Sequence, residues 1–180
     1  MESKHFYFIK DNFFEDISDP ALMLNKEDGR GRPCFFAIED SDGLFWMIPI
    51  SSKVEKYHLV FEKKMEKSGK CDTIYFANVL GQERAFLIQN MFPIIEEYIA
   101  DEYIQMPNRN PVMIAETSSK ELLEKFKTIL ALVKHGKSNV VFPNILKIRE
   151  LLLNIKRTHD EIKDVVETPT EKLIKKAPWK

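Results

Sequence analysis

Hydrophobic and polar positions divide the chain into two regimes. In the N-terminal half, short runs rich in aromatic and β-branched residues predict strands at His5–Lys10, Pro33–Ile38 and Leu44–Ile50. The last two flank Glu39-Asp40-Ser41-Asp42-Gly43, whose Asp-Gly ending marks a hairpin. Cys71–Val79 and Arg84–Gln89, joined around Gly81, predict a second hairpin. Between them Val54, Tyr57, Phe61 and Met65 recur at helical spacing among Lys and Glu, predicting an amphipathic helix from Lys53 to about Gly69.

Beyond residue 115 the period changes. Leu122, Leu123, Phe126, Ile129, Leu130 and Val133 define a helix that stops near Gly136. After Phe142-Pro143, steps of three and four from Ile145 through Ile148, Leu152, Ile155 and Ile162 to Val166 define a longer one. Two packed helices against a sheet is the simplest architecture, an α+β fold. Residues 1–166 read as a single domain and 167–180 as a C-terminal tail, where periodicity is lost and lysines accumulate.

Composition narrows the class. At 180 residues, 44% hydrophobic and 31% charged, the chain can bury a core of its own and is neither disordered nor membrane-embedded. Its two cysteines, Cys34 and Cys71, each sit in an apolar run, as buried thiols of a reducing compartment do. With no signal-like or spanning segment, a cytoplasmic protein with no membrane partner is expected.

A formal net charge of −1 argues against a polyanionic partner, but that figure is an average. From Asp11 to Asp42, nine acids stand against three bases. From Lys53 to Lys70, six lysines stand against three glutamates, and from Lys120 to Arg157, nine bases against three glutamates. The basic charge falls on the predicted helices, so they form either a polyanion groove or a set of solvated faces.

The four histidines are scattered, there is no C-x-x-C, and the glycine signatures of nucleotide or acyl-transfer sites are missing, so no metal or cofactor is expected. The most suggestive run is Trp46–His58. There a strand hands over, through Ser51 and Ser52, to a lysine-bearing helix whose first-turn amides, dipole and neighbouring hydroxyls favour an anion. Ser52 and Glu55 also form an S-x-x-E capping box, which explains both residues without a ligand.

These residues resemble a known family. Ile48-Pro49-Ile50-Ser51-Ser52-Lys53 followed by Lys56-Tyr57-His58 is similar to the P-L-[ST]-S-x-K…[WY]-H segment of the type III toxin-antitoxin ribonucleases, the ToxN and AbiQ group with its CptN branch. Further landmarks follow in order: the aromatic first strand Phe6–Ile9, Arg32-Pro33, the run Ala85–Ile94, and Met106-Pro107-Asn108. The resemblance covers about residues 5 to 157.

It implies a compact antiparallel barrel-like sheet with a MazF/Kid-like core and C-terminal helices. It also implies a metal-independent, sequence-preferring endoribonuclease acting on cellular or phage mRNA. Such an enzyme is inhibited by a small pseudoknotted RNA antitoxin, which it processes and with which it forms a closed assembly. RNA carries its own nucleophile, so the protein has only to align the 2′-OH, move protons and stabilise the phosphorane.

The resemblance assigns Ser52 as the central active-site hydroxyl with Ser51 beside it, Lys53 or Lys56 as phosphorane stabiliser or acid, and Arg32 as the cationic residue across the cleft. The spacing Lys53-Val54-Glu55-Lys56 is one residue longer than the better-known pattern, so the choice of lysine stays open. Candidate RNA contacts are Tyr57, His58, Gln89, Asn90, Lys134, His135 and Lys137. The last three serve equally as cationic caps of a helix C-terminus. Strand aromatics such as Tyr7, Phe8, Phe35, Phe36, Phe45 and Trp46 are ordinarily core, and only an outward-pointing one can stack a base. A non-catalytic RNA-binding module and a protein-interaction domain with an acidic partner are the alternatives.

Overall fold

A computed structural model describes residues 1–23, 25–27 and 30–166 of the chain. The expected tail at 167–180 lies outside them. Chain order runs β1 (Phe6–Ile9), α1 (Asp11–Ile17), β2 (Lys26–Glu27), β3 (Arg30–Gly31), β4 (Cys34–Glu39), β5 (Phe45–Ser51), α2 (Val54–Ser68), β6 (Tyr75–Val79) and β7 (Gln82–Phe86). After a 3-10 turn at Ile88–Asn90 come β8 (Phe92–Ile94), β9 (Ile99–Glu102), β10 (Ile104–Gln105), β11 (Asn110–Pro111), α3 (Glu116–Lys134) and α4 (Ile145–Val166).

The main sheet is antiparallel, in the order β6-β7-β5-β4-β1-β9, with β8 also on β5. It is mixed with four helices, as the α+β expectation requires. The barrel-like expectation needs correction: β6 and β9 end the sheet and do not pair with each other, so the sheet stays open. Both predicted hairpins form. In the β4–β5 loop Asp40 accepts the amides of Asp42 and Leu44 and the Trp46 indole N–H at 2.9–3.1 Å, and Gly43 turns the chain at φ +70°.

Strand β5 organises the sheet. Its N-terminal half pairs with β8 (Phe45↔Ile94 to Met47↔Phe92), and its end pairs with β7 (Ile50↔Phe86, Ser51↔Ala85). Pro49 lies between the two stretches; it has no N–H to donate, and its carbonyl accepts from Leu87 at 3.0 Å. The partner switch thus falls where β5 lacks a donor. It leaves Ser51 and Ser52 at the end of a central strand.

The strands read as continuous apolar runs because both faces of the sheet are covered. On one face Phe6, Phe35, Trp46, Ile48, Ile50 and Phe86 pack against Leu122, Phe126 and Leu130 of α3. On the other Tyr7, Ile9, Phe36 and Met47 meet Phe13 and Ile17 of α1 and Ile148 and Leu152 of α4. The expected pair of packed helices is therefore corrected: α3 and α4 serve opposite faces, since each apolar face needs its own cover. Helix α2 lies behind the β6–β7 ribbon, where Tyr57 joins Ile74, Ala85 and Leu87. Helix α1, only seven residues long, escapes the periodicity because two turns hardly establish one.

Part of the contrast in sequence charge is cancelled across the fold. Arg149 of α4 pairs with Asp42, Lys156 donates to the Asp42 carbonyl at 3.0 Å, and Lys125 of α3 pairs with Asp72 at 3.0 Å. Arg149 and Lys125 so engaged neutralise acids of other segments.

Both cysteines are free and buried, Cys34 at 3% and Cys71 at 5% exposure. Burial pushes the Cys34 thiol up to about 12, against a smaller opposing pull from Arg32. Cys34 therefore stays a protonated thiol at pH 8. Ellman's reagent should label neither cysteine of the folded protein at that pH and both in urea; prompt labelling of the native protein would contradict this packing. Among the described residues, no helix is long and apolar enough to cross a membrane.

Candidate active site

Helix α3 does not cover the whole of its sheet face. Where β1, β4, β5 and β7 end beyond it, an open cleft of about 740 Å³ remains, with Ile50 and Val79 in its lining. Arg32, from the residue pair leading into β4, and Ser52, just past β5, line its middle; Gln82 and Arg84 of β7 line one side, Phe8 and Tyr103 the other.

Local structure explains how Ser52 gets there. The Ser51 hydroxyl, 2% exposed as a residue, accepts the Lys53 amide at 3.2 Å, and the Ser52 carbonyl accepts the Val54 amide at 2.9 Å. This serine-stabilised turn ends the strand and starts α2 at Val54. The capping-box expectation is corrected accordingly. Lys53, not Ser52, occupies the cap position, with no side-chain capping bond, and Glu55 is the second helical residue rather than the third. Two of the amides expected to cradle an anion are already engaged in the turn, and the exposed Ser52 side chain is presented to the cleft.

Arg32 is 7% exposed and donates from Nη1 to the Ile50 carbonyl at 2.8 Å. A buried guanidinium is thus fastened to the strand end that carries the serines. Arg84 donates to the Glu83 carbonyl at 3.1 Å and to Gln82 Oε1, which holds its fork against the cleft wall. Among the described residues the lining pairs a hydroxyl with two guanidiniums and shows no carboxylate, a donor set suited to phosphate oxygens.

The other sequence candidates fall elsewhere. Lys53 and Lys56 are exposed beside the turn, outside the cleft lining, and Lys56 Nζ stands 5.5 Å above the Tyr57 ring. Tyr57 itself is buried beneath α2. His58 stacks on Phe76 at 3.9 Å and meets Glu83 at 3.0 Å. Phe76 and Glu83 face the side of the ribbon opposite to Val79, Gln82 and Arg84, so His58 is turned away from the cleft.

Gln89 and Asn90 are buried in the 3-10 turn. Gln89 Oε1 accepts Lys64 Nζ at 2.7 Å, and the same ammonium, held below its usual range by burial, also reaches Thr73 Oγ1 at 2.7 Å. In this conformation Gln89 pins α2 to the sheet rather than meeting a ligand. Lys134, His135 and Lys137 are exposed at the C-terminus of α3, outside the cleft lining.

Gln82, Arg84 and Tyr103 escape sequence reasoning. A signal was present: in Gln82-Glu83-Arg84-Ala85-Phe86 the period-2 pattern places Arg84 and Gln82 on the face of buried Phe86, an unusual position for an arginine. Of the strand aromatics considered, Phe8 is the one that lines the cleft. Tyr7, Phe35, Phe36 and Trp46 are core, and Phe45 packs against Phe36.

No family model and no curated protein matches the sequence. Solved structures do. AbiQ, a lactococcal anti-phage endoribonuclease of the type III toxin-antitoxin system, superposes with a TM-score of 0.63 over 89% of this chain and 99% of its own, at 11% identity. A chain from a bacterial antiviral system regulated by a processed non-coding RNA superposes at 0.58 over 81% and 95%, at 16% identity. The fold is thus ToxN/AbiQ-like, the one to which the sequence motifs pointed.

Proposed function

We propose that this chain is the endoribonuclease toxin of a type III toxin-antitoxin system, of the ToxN/AbiQ group and its CptN branch, and that the cleft around Ser52 is its active site. One observation carries the reading. Arg32 and Ser52, implicated by motifs 20 residues apart, line a single cation-rich cleft in a fold shared with an endoribonuclease.

In this mechanism the substrate 2′-OH attacks the adjacent phosphorus and the 5′-oxygen leaves. The products are a 2′,3′-cyclic phosphate and a 5′-hydroxyl. Ser52 contacts the scissile phosphate and passes a proton, while Arg32 and Arg84 balance the charge that develops on the phosphorane oxygens. Lys53, next to Ser52 in the chain, is the nearest lysine to serve as acid if its side chain swings over the cleft edge. Arginine and hydroxyl groups supply this stabilisation without a bound cation, so the reaction is metal-independent. A small pseudoknotted RNA antitoxin, processed by the same cleft, occupies it in the inhibited state. Bacterial or phage mRNA is the target of the released toxin in abortive infection.

The test is a purified transcript incubated with the protein in EDTA. Cleavage should leave 5′-hydroxyl ends that polynucleotide kinase labels directly. A strict magnesium requirement or 5′-phosphate ends would point to another enzyme class, and RNA binding without cleavage to a non-catalytic module.

A further inference from the structure

We propose that His5 is a pH-sensitive clamp: when protonated it ties the N-terminal segment and the edge strand β9 to β1, and so fixes Tyr103 on the cleft wall. The link to catalysis rests on the endoribonuclease reading above. Strand β9 needs such a tie. It is the last strand of the sheet and, among the described residues, pairs only with β1, in a register that shifts between Tyr7↔Glu102 and Ile9↔Ile99. Tyr103 follows it directly. Its amide donates to the Phe6 carbonyl at 2.7 Å, and its ring meets Phe8 edge to face at 5.4 Å.

Pleat alternation couples the two sides of the strand. Glu102 stands opposite Tyr7, on the side away from the cleft, and the next residue, Tyr103, takes the cleft side. His5 shares the Glu102 side and lies outside the cleft lining, so it acts as a positioning residue. Unlike the other three histidines it is buried, and its backbone is fixed by the Phe36 amide, which donates to the His5 carbonyl at 2.9 Å. Its Nδ1 meets Glu102 Oε1 at 2.6 Å, and its Nε2 faces Glu2 Oε2 at 3.6 Å. Glu2 is brought back over the ring by the turn at Lys4, where φ is +70°, and its amide donates to the Tyr7 hydroxyl at 2.9 Å.

A carboxylate only accepts, so Nδ1 carries a proton in either charge state and protonation changes Nε2. The imidazolium offers an N–H and a positive charge to both carboxylates. The neutral ring turns a lone pair toward Glu2 and leaves Glu2, Glu96 and Glu102 as three carboxylates around one open cavity of about 500 Å³. Tyr7 adds no charge there, because burial raises its phenol above the usual value. Lys4 is paired instead with Glu116 of α3 at 3.1 Å, while Met1, with a titrating amine of its own, also lines the cavity. Histidine changes charge near neutral pH, so the clamp holds in mild acid and weakens as pH rises.

The experiment follows the Tyr103 amide of the full chain by hydrogen exchange, since that amide opens when the end of β9 leaves β1. Corrected for the intrinsic rise with pH, its exchange should accelerate by about 5- to 30-fold from pH 6 to pH 8. His5→Gln cannot take up a proton, and Glu102→Gln keeps the imidazole but removes its carboxylate. Both should show the faster exchange already at pH 6, with no step between. Equal protection of the wild-type amide at both pH values, or the same step in both variants, overturns the clamp. On RNA, the ratio of wild-type kcat/KM to that of Glu102→Gln should fall toward one as pH rises over this range. A flat ratio beside the exchange step overturns the link to the cleft. If the wild-type protein cleaves no RNA, the endoribonuclease reading fails, and the exchange step alone decides the clamp.

Discussion

Ser52→Ala is expected to lower the rate of the proposed RNA cleavage by about 10²- to 10⁴-fold, the range for losing a positioned proton-transfer group, and to leave the fold in place. The side chain is exposed at the cleft, and an exposed hydroxyl contributes about 1 kcal/mol or less to stability. Urea unfolding and affinity for uncleaved RNA should therefore match the wild-type protein, while single-turnover cleavage collapses. Ser51→Ala provides the contrast. Its buried hydroxyl accepts the Lys53 amide, so its loss should cost about 1 kcal/mol of stability and loosen the turn that presents Ser52. Unchanged cleavage by Ser52→Ala would remove that residue from the mechanism.

Arg32→Met is the second large effect, and it acts on two quantities. The substitution keeps the bulk of the side chain but removes a charge at the middle of the cleft and the bond from Nη1 to the Ile50 carbonyl. Loss of a hydrogen bond to a charged group costs about 1.5–3 kcal/mol, visible as a lower unfolding midpoint. Loss of a transition-state cation should lower kcat by about 10²- to 10³-fold with a smaller change in KM. Arg32→Lys separates the two roles, because it restores charge without the planar fork. Should the stability loss appear with full activity, Arg32 would be a strut of the β5 end and the cleft would rely on Arg84.

These variants also show which parts of the site a one-dimensional reading can reach. Ser51, Ser52 and Lys53 are contiguous and adjoin a change of period from strand to helix, so their neighbourhood is legible from the chain itself. Arg32 was reached through motif resemblance. Arg84, Gln82 and Tyr103 belong to no contiguous motif. They enter the cleft because β7 pairs with the end of β5 and because Tyr103 follows a strand that pairs with β1. The S-x-x-E spacing places a cap at Ser52 for a related reason: it describes distance along the chain, whereas Ser51, in register with Ala85, accepts the Lys53 amide and leaves Lys53 at the cap.

The amino-acid pattern determined the hairpins around Gly43 and Gly81, the helices ending near Gly69 and Gly136, and the helix from Ile145 to Val166, since periodicity and turn chemistry are local properties of the chain. Tertiary structure alone decided that the sheet stays open, that α3 and α4 cover opposite faces, that helical bases engage Asp42 and Asp72, and that His58 and Gln89 point away from the cleft. Those outcomes depend on which strands become neighbours and which face each helix must cover. Strand neighbours far apart in sequence brought Phe8, Arg32, Ser52 and Arg84 to one cleft, and no local pattern encodes that meeting.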